Sequence, residues 1–172
     1  MSDLPILTGH LAGFEDTIAA TREKREELYK WFHQHPELSM EEYATSQRIE
    51  EVLKSIGFTV TAVGKTGKVG VLENGEGPTV AFRADFDALP VEQRTGLDYA
   101  STETTTDEDG RTVPLMHACG HDMHVAALLG AAGAMAAHQE AWSGTFIALF
   151  QPGEEIAAGA RSMVDDGLIE KV

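Results

Sequence analysis

Apolar residues recur at three- and four-residue spacing over residues 14–35 and again over 41–56, which predicts two amphipathic helices. In the first, Ile18, Leu28, Trp31 and Phe32 share a face and the TREKREE run forms the solvated side, with Pro36 ending the helix. Ser39, followed by Glu42, has the spacing of a capping box for the second helix, which Gly57 stops. Short β-type runs follow at 58–63, 69–73 and 79–82, punctuated by glycines, Asn74 and Pro78. Residues 97–113 (LDYASTETTTDEDGRTV) are polar, acidic and threonine-rich, and predict a surface excursion. A further helix is expected to run to about His138 with Asp122 as its cap. The GTFIALF run at 144–150 is apolar throughout, the pattern of a strand buried on both faces. A last helix is expected over 157–166, with Gly167 at its C-cap.

Helices alternating with strands around one wholly apolar strand predict an α/β fold: a layered α/β/α domain with a largely parallel or mixed sheet. No repeat or inter-domain linker divides the chain, and residues 168–172 offer no closing element, so the domain reads as truncated.

Composition narrows the function. With 42% apolar and 24% charged residues, the 172-residue chain has the makings of a folded core rather than of a disordered segment. Its net charge of −15 repels a polyphosphate, which argues against nucleic acid as a partner. A single cysteine makes no internal disulfide, and the first 17 residues lack a basic-then-apolar leader. The longest apolar stretch, 125–137, is too short to span a bilayer. A cytoplasmic protein without a membrane partner is expected.

The candidate chemistry gathers at three expected strand ends. The first run leads into RADFDALP, with Asp85 and Asp87; PLM at 114–116 leads into HACGHDMH; and GTFIALF leads into QPGEE, with Glu154 and Glu155. In α/β sheets, functional groups collect where strands finish. Cys119 and His121 flank Gly120, which permits a tight turn; a thiolate and an imidazole suit a borderline divalent ion. Asp122 or His124 is positioned to fix the tautomer of His121. Asp85 and Asp87, two apart, face one side of an extended chain, to hold a second cation or to hydrogen-bond the histidines. Glu154 and Glu155 diverge, which suits one carboxylate on a metal and one free to take a proton.

Other readings stand beside these. Cys119 could be a buried apolar residue or a nucleophile paired with a histidine, tandem glutamates often complement a helix dipole, and the aspartates could form turns. His33 and His35 read as structural or surface residues, and His10 and His138 have no context. GKT at 64–66 fails as a phosphate loop because Thr59 stands where a glycine is required. Neither G-x-S-x-G nor H-E-x-x-H occurs.

Taken in order, HPELSMEE, RADFDALP, MHACGHDMH, FQPGEE and MVDDGL closely resemble the dinuclear-metal amidohydrolase and exopeptidase family. The branch is that of hippurate hydrolase, N-acyl-amino-acid amidohydrolases and auxin-conjugate hydrolases. The resemblance implies that residues 1–172 are the N-terminal part of a metal-binding catalytic domain, without the lid or dimerisation domain. It implies two divalent ions, zinc or manganese with cobalt or nickel as options, with Cys119, His121 and Glu155 as ligands. Glu154 becomes the general base and Asp87 the carboxylate that orients the site, while Asp85 stands where other branches carry a ligand histidine. The implied reaction is hydrolysis of a small N-acyl amino acid by a homodimeric parent enzyme, with little or no turnover from this portion alone. The rivals are a non-catalytic metal-binding or interaction module and a cysteine-nucleophile hydrolase.

Overall fold

The computed structural model describes residues 12–106 and 109–172; His10 lies outside them. The span predicted as one helix is two, α1 (Ala12–Ala20) and α2 (Arg22–Gln34). They part at Thr21, whose hydroxyl donates back to the Thr17 carbonyl at 2.7 Å and competes with regular helix geometry. His138 secures α1 through Thr17 Oγ1, 2.7 Å from its Nε2, and a ring contact with Phe14.

α3 (Tyr43–Ser55) begins two residues later than expected, without the capping box. Its first-turn amides, Ala44 and Thr45, donate to the Glu37 carboxylate at 3.0 and 2.8 Å, which leaves Ser39 and Glu42 to bind elsewhere.

Four strands make the main sheet: β1 (Thr59–Val63), β2 (Gly67–Asn74), β3 (Thr79–Asp85) and β6 (Gly144–Gln151), in the order β1-β2-β6-β3. β1–β2 and β2–β6 pair antiparallel and β3–β6 parallel, so the sheet is mixed. Arg83, Ala84 and Asp85 pair with Leu149, Phe150 and Gln151, which carries β3 beyond its predicted end and makes Asp85 its last residue.

The 97–113 excursion contains a separate ribbon, β4 (Thr104–Thr106) against β5 (Thr112–Pro114). The expected third strand end is therefore not in the main sheet. Met116 reaches the site through an isolated bridge to Leu89 instead.

α4 (His121–Ala137) lies across the sheet, and its cap is Gly120 in a left-handed conformation (φ 80°), not Asp122. Asp122 sits inside the first turn, where Oδ1 accepts the Met123 amide at 2.8 Å. α5 (Gly159–Asp165) and α6 (Leu168–Lys171) follow, joined through Gly167.

Alternation along β6 builds both halves of the core. Phe146, Ala148 and Phe150 face Phe32, Ile49, Leu53, Val125 and Leu129 of the helical layer. Ile147 faces the other way, with Val63, Val69 and Met163 of α5. Burial of each large side chain contributes about 1.5–3 kcal/mol. The result is the predicted layered α/β arrangement. Among the described residues no helix is long and apolar enough to cross a membrane.

Candidate metal centre

The site assembles where β3, β6 and the start of α4 meet. β3 delivers Asp85; buried Phe86 anchors the next residue, and Asp87 is 1% exposed. The β3 exit is held from outside the sheet, because the Ala88 amide donates to the Glu37 carbonyl at 2.8 Å. β6 delivers the turn carrying Glu154 and Glu155, and the Gly120 turn delivers Cys119 and His121.

His121 is the centre of the arrangement and is 4% exposed. Its Nδ1 lies 3.0 Å from the Asp87 carbonyl oxygen and 3.1 Å from Asp87 Oδ1. With two acceptors there, Nδ1 carries the proton and Nε2 presents its lone pair. Nε2 stands 3.7 Å from Asp85 Oδ1, 3.8 Å from Glu154 Oε2 and 3.9 Å from Glu155 Oε1. These separations are too long for hydrogen bonds and short enough for the groups to share a cation.

Asp87 joins three segments. Its Oδ2 accepts from Ser39 Oγ at 2.6 Å and from the Glu155 amide at 2.9 Å. Burial alone would raise its pKa, but hydrogen bonds from His121, Ser39 and the Glu155 and Glu154 amides bring it down to about 2. Asp85 bonds His124 Nδ1 at 2.5 Å through Oδ1 and meets Arg83 Nη2 at 3.1 Å through Oδ2. Its pKa too is lowered against burial, by His124, His121 and Arg83. For His121 itself burial opposes the charge, and the Asp87 hydrogen bond with the charges of Asp85 and Asp87 outweighs it and raises the pKa.

Cys119 is exposed. The Glu155 carboxylate raises its thiol pKa, first as a hydrogen-bond partner; burial and the charges of Glu155, Glu154 and Asp87 act in the same direction. That setting suppresses a free thiolate, the opposite of what a cysteine nucleophile requires, whereas a cation at the same place reverses the sign. Glu155 is largely buried, and among the described residues its Oε1 has no hydrogen-bond partner.

Two triplets bring potential ligand atoms within 4.8 Å of one another: Asp85, His121 and His124, and His121, Glu154 and Glu155. Cys119 belongs to neither, although its thiol meets Glu155. The residues fit a divalent cation. An unpartnered buried carboxylate oxygen faces an imidazole lone pair, and the donors mix oxygen, nitrogen and sulfur.

Several partnerships differ from the sequence expectation. The proton on His121 is fixed by Asp87 rather than by Asp122 or His124. Asp122 Oδ2 instead pairs with His33 Nδ1 at 2.6 Å, and both are buried. His33 therefore belongs to the interior behind the site, with Gln93 Nε2 2.7 Å from its other nitrogen. His35 is local, bonding the Trp31 carbonyl through Nδ1 at 2.6 Å. His117 is 5% exposed, and among the described residues neither of its ring nitrogens has a hydrogen-bond partner. Burial, the main cause, pushes its pKa down to about 4 and keeps the ring neutral.

The sequence pattern of peptidase family M20/M25/M40 matches residues 81–172, a stretch that contains Asp85, Asp87, Cys119, His121, Glu154 and Glu155. N-acetyl-L-cysteine deacetylase of Bacillus subtilis (strain 168) is 44% identical over 147 residues, 84% of this chain and 33% of that protein. Hippurate hydrolase of Campylobacter jejuni is 39% identical over 148 residues, 85% of this chain and 36% of its own length. The crystal structure of the Bacillus subtilis YXEP protein, described as a dinuclear metal binding peptidase from the M20 family, shares the fold with a TM-score of 0.78 at 35% identity. It covers 90% of this chain and 41% of that one. The chain thus spans about a third of the length of the curated relatives it matches. With the pattern covering more than half of the sequence and every acidic residue around His121 inside it, the chain belongs to peptidase family M20/M25/M40.

Proposed function

We propose that this chain is the N-terminal, metal-binding part of a hydrolase that cleaves the amide bond of N-acyl amino acids. His121, Glu155 and Cys119 would hold the metal site, and Asp87 orients His121. The observation that carries the reading is the Nε2 of His121, ringed by three carboxylate oxygens at 3.7–3.9 Å. Bound divalent ions supply Lewis-acid polarisation of the amide carbonyl and lower the pKa of water. Glu154, 44% exposed at the open side, accepts the proton of the attacking water. The water oxygen bonds to the carbonyl carbon, the carbon–nitrogen bond breaks, and Glu154 passes the proton to the departing amine. Similarity to N-acetyl-L-cysteine deacetylase and hippurate hydrolase supports a small N-acyl amino acid as substrate. The mixed donor set suits zinc or manganese, with cobalt or nickel as alternatives. The parent enzyme is read as a cytoplasmic homodimer.

The test replaces Glu154 with Gln in the full-length enzyme that carries this chain. Hydrolysis of hippurate and N-acetyl amino acids is expected to fall by about a hundredfold or more with metal content unchanged. Undiminished hydrolysis overturns the assignment of the base, and a wild type that binds metal without hydrolysing any acyl amino acid leaves only a metal-binding module. Activity that survives a chelator and disappears with a thiol alkylator restores the cysteine nucleophile.

A further inference from the structure

Glu42 has no exposed surface. Its Oε1 accepts the amides of Met40 and Gly153, each at 2.8 Å, and its Oε2 accepts Thr66 Oγ1 at 2.6 Å. None of these partners is basic, and burial of the carboxylate, the leading influence, raises its pKa. A buried acid without a counter-ion is expensive, so what it holds is informative. Although Glu42 is the N-cap residue of α3, its side chain makes no capping bond, and the first-turn amides of Ala44 and Thr45 go to Glu37. It reaches across 111 residues to the turn that follows β6.

That turn folds back on itself. The Ala157 amide donates to the Glu154 carbonyl at 2.8 Å, and the Ala158 and Gly159 amides both donate to the Gly153 carbonyl at 3.1 Å. The Gly153 amide is where this turn is tied to the rest of the molecule on one side of Glu154. On the other side the Glu155 amide is tied to Asp87, and Asp87 to Ser39. Both amides flanking Glu154 therefore end on buried carboxylates, and both ties lead back to residues 39–42.

We propose that Glu42 is a positioning residue: through the Gly153 amide it fixes the turn that presents Glu154 and Glu155 to His121. It touches no reacting group. The inference rests on the reading of Glu155 as a ligand and Glu154 as the base.

Two variants separate the tie from general packing. Glu42→Gln keeps an oxygen for both amides, and the Thr66 hydroxyl can turn to accept from the new amide group; Glu42→Ala removes every bond. Amide hydrogen exchange on the 172-residue chain is expected to quicken at Gly153 by about a hundredfold in Glu42→Ala, with Ile147 and Ala148 of β6 still protected. The affinity for Co²⁺, followed by its absorption spectrum, is expected to weaken about tenfold in Glu42→Ala and to stay within about threefold of wild type in Glu42→Gln. Should Glu42→Ala fail to fold, Thr66→Val, which removes a single donor, is expected to move the same two quantities less far. An unchanged Co²⁺ affinity in the folded variant overturns the proposal, whatever the amide does. A quickened Gly153 amide in a chain whose wild type takes up no Co²⁺ overturns the metal-site reading and upholds the tie.

Discussion

Gly159 follows Pro152 around the acidic turn so closely that a β-carbon built on it would lie 1.5 Å from the Pro152 carbonyl oxygen. Backbone, unlike the tip of a flexible side chain, cannot yield at that distance. Gly159→Ala is therefore expected to destabilise the fold by more than about 4 kcal/mol, read as loss of a cooperative melt. At this scale Cys119, His121, Glu154 and Glu155 stand out in the sequence by type and spacing; the fold brings ligand atoms of His121, Glu154 and Glu155 within 4.8 Å of one another, while Cys119 joins neither triplet. The roles of Ser39 and Glu42 were not legible. A capping box and a pair of long-range ties have the same sequence spacing, and only the register of β3 and β6 against residues 36–42 decides between them. His33 was opaque for a similar reason, since its partner Asp122 lies 89 residues away.

A polar contact between a helix and the sheet can be tested. Glu50 of α3 accepts from Lys54 on the same helix and from Lys68 of β2, each at 2.5 Å. Those bonds bring its pKa to about 2. The folded chain holds this carboxylate ionised where the unfolded chain, near 4.5, already binds a proton. The contribution is thus complete above about pH 5 and is lost as the pH falls toward 2. Side-chain exposures of 30% for Glu50 and 57% for Lys54 mean that solvent screens much of it. Glu50→Gln is expected to cost about 0.5–1 kcal/mol at pH 7, with the difference closing near pH 2 in urea titrations. Elements with one strong signal were readable in advance, β6 above all, because burial on both faces gives it an unbroken apolar run from Phe146 to Phe150. The strand expected at 114–116 was not, because three apolar-leaning residues do not specify which sheet they join.

For the molecule as a whole, the separated origins of the site set an expectation. The proposed ligands from the Gly120 turn and from the end of β6 come together only in the folded chain, so on that proposal metal binding and folding are linked. Zn²⁺ at a hundred times its Kd is expected to add about 2.7 kcal/mol, raising the Tm by roughly 5–10 °C and reversing with a chelator. His121→Ala is expected to abolish the shift, and a Tm indifferent to Zn²⁺, Mn²⁺ and Co²⁺ would count against the site. The layered fold followed from periodicity, because helix and strand repeats were well separated along the chain. The sheet order did not, because periodicity fixes which face of a strand is buried and leaves open which strand lies beside it.

That order has a mechanical consequence. Among the described residues β3 is stitched to β6 along one margin only, and Val80 and Phe82, 45% and 53% exposed, line the strip beside its bare margin. The same strand ends in Asp85, with Asp87 just beyond. Any polypeptide zipped onto the bare margin would stiffen the stalk from which these two acids hang, and peeling it away would let them sway. The reach of the site thus extends along the seven residues of β3 to this outer margin.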